Sequence, residues 1–282
     1  MLNPHRFVRY FYPWLLGLLV AQSVSPVLAV TPQIMMGAQH SLAMKSDGTL
    51  VTWGSDSTGQ LGVGRDLYFT IPQRVPNFNL GANPSPDSLA AGSFHTLARF
   101  PNGTLWTWGY NGYGQLGDGT TTTHPNPAPV KGLGPVRAMA GGLRHSLAVT
   151  TDGAVWAWGA NDQGRLGDGT TDERDTPVQV KGLTDVVAVA AGYYHSLALK
   201  SDGTLWAWGG NDLGQLGQGT TDSIAHTTPV QVMGLTGVIA VTTKRSHSLA
   251  LKQDDSVWAW GDNEHGQIGN GTTTNQLAAV QV

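Results

Sequence analysis

The sequence predicts an all-β chain that folds as a β-propeller of four-stranded blades, and two observations carry this prediction. One phrase, reading GYYHSLALKSDGTLWAWG at residues 192–209, occurs in five copies whose histidines lie 55, 50, 50 and 52 residues apart. A period near fifty residues is typical of a stacked or circular array of one supersecondary unit. The apolar segments are as short as strands and show no helical periodicity of any length.

Each copy divides into four short strands joined by turns. In the fourth copy we predict these strands at residues 177–180, 186–191, 195–199 and 204–208. Asp202–Gly203 separates the last two strands, and Asp-Gly supplies the positive φ that a tight hairpin turn needs. Three other copies have the same kind of turn, at Asp47–Gly48, Asn102–Gly103 and Asp152–Gly153, whereas the fifth has Asp254–Asp255.

The fourth strand of each copy alternates large and small side chains. Because successive side chains point to opposite faces of a strand, Trp206 and Trp208 share one face and Ala207 lies on the other. A sheet with one bulky and one shallow face stacks well on a copy of itself, and radial stacking of four-stranded sheets is a β-propeller. Recurrence in every copy favours a core role over a ligand-stacking ladder of rings. We therefore predict an inter-blade core formed by Trp53, Trp108, Trp158, Trp208 and Trp260.

The two ends of the repeat array predict how it closes. The array begins inside Gln33–Met36, which corresponds to the second of the four strands of a copy and is here called a strand of the second type. It ends on Ala279–Val282, which corresponds to the first strand of a copy, a strand of the first type. We therefore predict five blades closed by strands shared between the N- and C-terminal ends, an arrangement that removes exposed sheet edges. The alternative is an open arc.

Residues 1–29 have the features of a signal peptide. Arg6 and Arg9 precede an apolar stretch at residues 14–21, and Val27–Ala29 provides small residues for cleavage. An uncleaved membrane anchor is the alternative, but the apolar part is short for about 30 Å of hydrocarbon. We predict a signal peptide at 1–29 and a propeller at 30–282. The exported protein would be periplasmic, at the cell surface or secreted, without stable membrane insertion.

The composition argues against several partners and chemistries. The chain has 16 basic and 19 acidic residues, a formal net charge of −3 and no basic run, which argues against nucleic acid or an anionic membrane surface as partner. It has no cysteine, so disulfides, thiolate metal sites and cysteine nucleophiles are excluded.

Three spaced motifs resemble the repeat of the regulator of chromosome condensation family, over essentially all of residues 34–282. They are G-x-x-H-[ST]-L-A, D-G-x-[LV]-W-x-W-G and N-x-x-G-Q-L-G-x-G-T, the last standing at residues 111–120 and 211–220. The resemblance implies a propeller, usually of seven blades, so a fragment of a seven-bladed propeller is a further alternative. With the signal peptide, it suggests a bacterial exported member. Members include a nuclear exchange factor for a small GTPase and a secreted bacterial inhibitor of β-lactamases, so the family indicates fold better than function.

The repeated histidines are predicted to be structural rather than metal ligands: His40, His95, His145, His195 and His247. A shared ion would need imidazole nitrogens about 2 Å away, whereas equivalent positions of different blades spread around a ring. We expect each histidine to tie its own blade together by hydrogen bonds. Pairs such as Asn161–Asp162 fit no complete calcium-ligand spacing and are typical of turns. No metal and no cofactor are predicted.

No catalytic constellation is identifiable in the sequence. Adjacent residues such as His145 and Ser146 point to opposite strand faces and cannot form a relay. No carboxylate pair suited to glycoside cleavage stands out. We therefore predict that the protein is not an enzyme.

Residues that differ between the copies predict a recognition surface. The loops after the second and fourth strands of an up-and-down blade open on the same face, and every tyrosine after residue 30 lies in them. Tyrosine and arginine are enriched in binding hot spots. The alternative is ordinary loop decoration, with aromatic rings packed between neighbouring loops. The predicted binding residues are Tyr68, Phe69, Phe94, Tyr110, Tyr113, Arg144, Tyr193, Tyr194 and Arg245.

The sequence thus predicts an exported propeller that binds another macromolecule, foremost a protein, as an adaptor or inhibitor. A carbohydrate-binding propeller, with tyrosines stacked on sugar rings, is the first alternative. Guanine-nucleotide exchange on a host small GTPase is the second, and it requires delivery into a eukaryotic host.

Overall fold

The computed structural model describes residues 33–64, 68–81 and 88–282, which leaves the predicted signal peptide outside the described residues. Within these ranges the protein forms five antiparallel four-stranded sheets, here called blades 1 to 5, and contains no helix that could cross a membrane.

The strands follow the chain from blade to blade. Blade 1 comprises β1 (Gln33–Met36), β2 (His40–Met44), β3 (Thr49–Ser55) and β4 (Tyr68–Asn79). Blade 2 comprises β5 (Leu89–Ala91), β6 (His95–Arg99), β7 (Leu105–Gly109) and β8 (His124–Pro129). Blade 3 comprises β9 (Val136–Gly141), β10 (His145–Thr150), β11 (Val155–Gly159) and β12 (Arg174–Gln179). Blade 4 comprises β13 (Val186–Ala191), β14 (His195–Lys200), β15 (Leu205–Asn211) and β16 (Asp222–Gln231). Blade 5 comprises β17 (Val238–Lys244), β18 (His247–Lys252), β19 (Val257–Gly261) and β20 (Gln276–Gln281).

Each blade is an up-and-down meander whose strands lie side by side in chain order. The first strands of the blades, β1, β5, β9, β13 and β17, contact one another in succession and line one central cavity. They are therefore the innermost strands. This arrangement confirms the predicted all-β propeller of five four-stranded blades.

The blades stack face to face, with the bulky face of one against the aliphatic face of the blade before it. Trp208 of blade 4 packs against Leu147 of blade 3, while Leu197 on the opposite face of blade 4 packs against Trp260 of blade 5. This stacking leaves no exposed surface on Trp108, Trp158, Trp208 and Trp260. The hydrophobic core is thus a series of layers between blades.

A repeated hydrogen-bond network joins neighbouring blades. Between blades 3 and 4, Trp208 Nε1 and Ser196 Oγ both donate to the carbonyl oxygen of Arg165, each at 2.8 Å. Because the Ser196 hydroxyl proton is used in this way, its oxygen accepts from His145 Nε2, which lies 3.0 Å away. The equivalent indole donors Trp108, Trp158 and Trp260 reach loop carbonyl oxygens at 3.1, 2.9 and 2.9 Å.

Each of the first four histidines bonds the following blade rather than its own. The Nε2 atoms of His40, His95 and His195 lie 3.2, 2.9 and 3.1 Å from the hydroxyl oxygens of Thr96, Ser146 and Ser248. The expectation that each histidine ties its own blade together is therefore wrong, because the imidazole projects from the face that packs against the neighbour. His247 lies in the last blade and is only half-buried.

The prediction that the two ends share strands is also wrong. β20 pairs with β19 of its own blade, with Val280 opposite Ala259, and β1 lies in a blade that is already complete. The reason is that every blade begins with a strand of the second type, so the N-terminal blade lacks nothing. The described residues form an open arc, in which Trp53 is half-buried and Val257 is 41% exposed whereas its counterpart Leu205 is fully buried.

Candidate functional site

The loops that follow the first and third strands of each blade lie side by side on one face of the propeller, here called the loop rim. It comprises residues 37–39, 56–64, 92–94, 110–123, 142–144, 160–173, 192–194, 212–221, 245–246 and 262–275. Backbone hydrogen bonds join the two loops of a blade, as from Tyr110 N to the Phe94 carbonyl oxygen at 2.9 Å and from Gly210 N to that of Tyr194 at 2.8 Å. The two kinds of loop therefore form one continuous surface.

A buried asparagine holds the long loop of each of blades 2 to 5 in place. In blade 3, Asn161 Nδ2 donates to the carbonyl oxygens of Thr170 and Asp172, both at 3.0 Å, and Asn161 Oδ1 accepts from Leu166 N at 2.9 Å. Asn111, Asn211 and Asn263 are buried in the same way. The side chains displayed by these loops are therefore pre-positioned on a rigid backbone, which lowers the entropy lost on binding.

The first aromatic cluster consists of Phe94, Tyr110, Tyr113 and Arg144, and it extends from blade 2 onto blade 3. Ring centroids lie 6.5 Å apart for Phe94 and Tyr110 and 6.2 Å apart for Tyr110 and Tyr113, both edge to face. The Arg144 guanidinium lies 4.6 Å from the Tyr113 ring centroid. The rings are half-buried and Arg144 is exposed. The cluster thus presents aromatic faces and one cation to solvent.

The second aromatic cluster consists of Arg165, Tyr193, Tyr194 and Arg245, and it extends from blade 3 to blade 5. The two tyrosine rings meet edge to face with centroids 6.4 Å apart. Arg165 lies 5.0 Å from the Tyr194 ring centroid and Arg245 lies 5.8 Å from that of Tyr193. Tyr194 remains 40% exposed, and among the described residues no carboxylate pairs with Arg245.

Arg165 is a rim residue that the sequence analysis missed. It stands where the other copies have glutamine, namely Gln60, Gln115, Gln215 and Gln267. Its Nη1 donates to the Tyr193 carbonyl oxygen at 3.0 Å, and its Nη2 forms an ion pair with Asp162. Burial lowers the pKa of Arg165, an effect that Asp162 opposes. The signal that could have identified it is the reading G-R-L-G in a repeat that otherwise reads G-Q-[LI]-G.

Tyr68 and Phe69 lie apart from both aromatic clusters. They begin β4, the outermost strand of blade 1, where Tyr68 stands opposite Ser55 and Phe69 opposite Gly54. Tyr68 is 69% exposed. Of the nine predicted binding residues, the structure therefore brings seven into the two clusters and leaves these two at the edge of blade 1.

The buried histidine–hydroxyl pairs do not have the environment of a catalytic dyad. His95 and Ser146 are fully buried, and the serine proton is committed to the Gln115 carbonyl oxygen at 2.8 Å. Burial lowers the pKa of His95 to about 3, so the imidazole is neutral at neutral pH. These pairs hold blades together and are closed to a substrate. Within residues 33–64, 68–81 and 88–282 no three metal-binding side chains converge.

Comparisons with known proteins agree with this architecture. A family model described as RCC1-like domain matches residues 18–282. Human E3 ubiquitin-protein ligase HERC2 is 34% identical over 244 residues, which cover 84% of this chain and 5% of HERC2. The chain thus spans a small part of that relative. The structure of human WBSCR16 superposes with a TM-score of 0.79 at 24% identity, covering 89% of this chain and 66% of that one.

A solved structure of yeast RCC1, also called Prp20, with Kap60 bound has a TM-score of 0.65 at 20% identity, covering 89% of this chain and 74% of that one. At such identities these likenesses establish the fold alone. The repeat motifs, the five blades and the match over residues 18–282 together show that the chain belongs to the RCC1-like domain family.

Proposed function

We propose that this protein is an exported propeller that binds another protein through the loop rim, as an adaptor or inhibitor. The observation that carries the proposal is the pair of aromatic clusters, which lie on one face over the junctions of blades 2 to 5. Tyrosine and arginine provide large contact areas at low entropic cost and dominate protein-binding hot spots.

The way the clusters are held supports a binding role. Tyr110 and Tyr113 flank or lie in the long loop that the buried Asn111 holds. The short loops are held by backbone hydrogen bonds, from Tyr110 N to the Phe94 carbonyl oxygen and from Tyr193 N to that of Arg245, so little ordering is needed when a partner docks. Arg144 and Arg245 are exposed and lie over tyrosine rings, which leaves both guanidiniums available to carboxylates of a partner. A partner with acidic and aromatic surface residues fits this face best.

The fold is a sufficient scaffold for protein recognition. Yeast RCC1, which shares the fold, has been solved with Kap60 bound and has been described as binding Gsp1p and histones. HERC2 is named a ubiquitin-protein ligase, but this chain spans 5% of it, so the name indicates no activity for the propeller.

Site-specific photocrosslinking in the cells that produce the protein tests the proposal. A photoreactive residue at Tyr194 should give a discrete crosslinked protein band, whereas the same residue at Ser201, an exposed position in a hairpin turn of the opposite face, should give none. Tyr193→Ala should remove the band without loss of folded protein. Equal yields at Tyr194 and Ser201 would contradict a binding rim, and glycan-array binding without any protein crosslink would point to a carbohydrate ligand.

A further inference from the structure

The five innermost strands line a central cavity of about 720 Å³ that is open to solvent. Most of its lining is aliphatic and includes Ile34, Met36 and Val187, which are 71%, 71% and 39% exposed to solvent. Met139 and Val241 add to the same surface. A contiguous apolar patch that remains in contact with water is unfavourable for a monomer and is typical of a binding site.

The charged residues of this cavity are all cationic. Arg137 lies near the start of β9 and Lys244 at the end of β17, so the two stand at opposite ends of the cavity, and no acidic residue lines it among those the structure describes. Arg137 Nη2 donates to the Val186 carbonyl oxygen. The side chain of Lys244, at the loop-rim end, has no hydrogen bond or ion pair with any described residue. It is the cation available to a ligand.

Lys244 also departs from the repeat at a position where the fold favours glycine. Its counterparts are Gly37, Gly92, Gly142 and Gly192, and a Cβ atom on any of them would collide with the imidazole of the histidine three residues later. In blade 5, where the lysine replaces this glycine, the corresponding histidine, His247, is only half-buried. The fold therefore does not require a lysine at this position. Because Lys244 stands at one end of an apolar cavity, a role in binding a ligand is the better explanation.

We propose that the central cavity binds an aliphatic carboxylate, whose chain lies along the apolar lining and whose carboxylate pairs with Lys244. The six residues of β13 span about 20 Å at roughly 3.3 Å per residue, enough to cover an extended alkyl chain. Burial of the chain supplies affinity in proportion to the apolar area removed from water, and Lys244 sets the direction of insertion.

Dodecanoate is a suitable probe, with dodecyltrimethylammonium as a ligand of equal chain length and opposite charge. Isothermal titration calorimetry below the critical micelle concentrations should show saturable dodecanoate binding and at least about tenfold weaker binding of the cation. Lys244→Gly restores the glycine of the other copies and should weaken dodecanoate about tenfold with unchanged melting behaviour. Val187→Glu places a carboxylate in the cavity lining and should also weaken dodecanoate binding about tenfold.

Lys252→Ala is the matched control, because Lys252 belongs to the same blade, lies over the Trp258 ring at 5.5 Å and is outside the cavity lining. It should bind dodecanoate like the unmodified protein. The proposal is overturned if dodecanoate shows no saturable binding, if both amphiphiles bind equally well, or if Lys244→Gly binds dodecanoate with unchanged affinity.

Discussion

The His145 imidazole and the Ser196 hydroxyl form a hydrogen bond of 3.0 Å that crosses from blade 3 to blade 4. Because Ser196 donates to the Arg165 carbonyl oxygen, the imidazole must carry its proton on Nε2. Burial holds the pKa of His145 well below its usual value, with a smaller contribution from Arg165. A neutral histidine of one tautomer is therefore part of every junction between successive blades.

Stability should fall as the solution becomes mildly acidic. Burial lowers the pKa of His40 to about 4 and that of His95 and His195 to about 3. An unfolded histidine titrates near pH 6.5, so below that pH the unfolded chain takes up protons that the folded chain does not. The contribution of each buried histidine to the free energy of unfolding is therefore fully present above about pH 6.5. It is lost as the pH falls towards 3 to 4, by up to about 1.4 kcal/mol for each histidine and each pH unit.

Urea unfolding at pH 7, 6 and 5 measures this effect. His145→Gln should show a shallower pH dependence than the unmodified protein, because one buried histidine is gone. His265→Gln, at an exposed loop position, should leave the dependence unchanged. A free energy of unfolding that is equal at pH 7 and pH 5 would contradict the buried neutral network.

The two ends of the arc should respond differently to loss of a tryptophan. Trp208→Ala removes a fully buried ring and its hydrogen bond to Arg165, and it should cost roughly 3–5 kcal/mol of stability. Trp53→Ala removes a half-buried ring and should cost less than half of that amount. Chemical denaturation compares them, and equal losses would mean that the Trp53 face is covered in solution.

Arg165→Gln should leave the fold intact because it restores the residue of the other copies. In those copies the glutamine accepts from a loop amide, as Gln115 Oε1 does from Tyr113 N at 3.0 Å. The change also removes a buried guanidinium whose partner carboxylate, Asp162, is 65% exposed. We expect a stability change within about 0.5 kcal/mol, whereas Arg165→Ala should lose about 1–3 kcal/mol. Thermal unfolding of both variants is the test, and equal losses would contradict this reading.

The sequence was sufficient for the features that depend on local pattern. The strand predicted at residues 186–191 matches β13, and the alternation of Trp206, Ala207 and Trp208 places the faces correctly. Even the fifth copy keeps the hairpin, because Asp255 adopts the positive φ (63°) that glycine adopts elsewhere.

Features that depend on contacts between blades could not be predicted in the same way. His145 and Ser196 are 51 residues apart, and nothing in either strand indicates which face of which neighbour they meet. The prediction that the two ends share strands was wrong for a related reason, because the repeat phrase does not reveal at which strand a sheet begins. Arg165 lies in a turn whose sequence is nearly the same in every copy, and the only sign of its role is that it stands where the other copies have glutamine.

The proposed export has its own direct measurement. Cleavage after Ala29 should leave Val30 as the N-terminus of protein recovered from the envelope or medium, as determined by mass spectrometry. Protein that retains Met1 and sediments with membranes would contradict export by a cleaved signal.

The most direct test of binding through the loop rim uses one double variant, Tyr193→Ala with Tyr194→Ala. Its stability and its affinity for the partner protein identified by crosslinking are both measured. We predict a stability change of no more than about 0.5 kcal/mol per site. Affinity should fall by about 2 kcal/mol or more, roughly thirtyfold. Trp208→Ala should show the reverse, with binding lost only as folded protein is lost. A double variant that unfolds like Trp208→Ala, or one that binds the partner with unchanged affinity, would contradict the account.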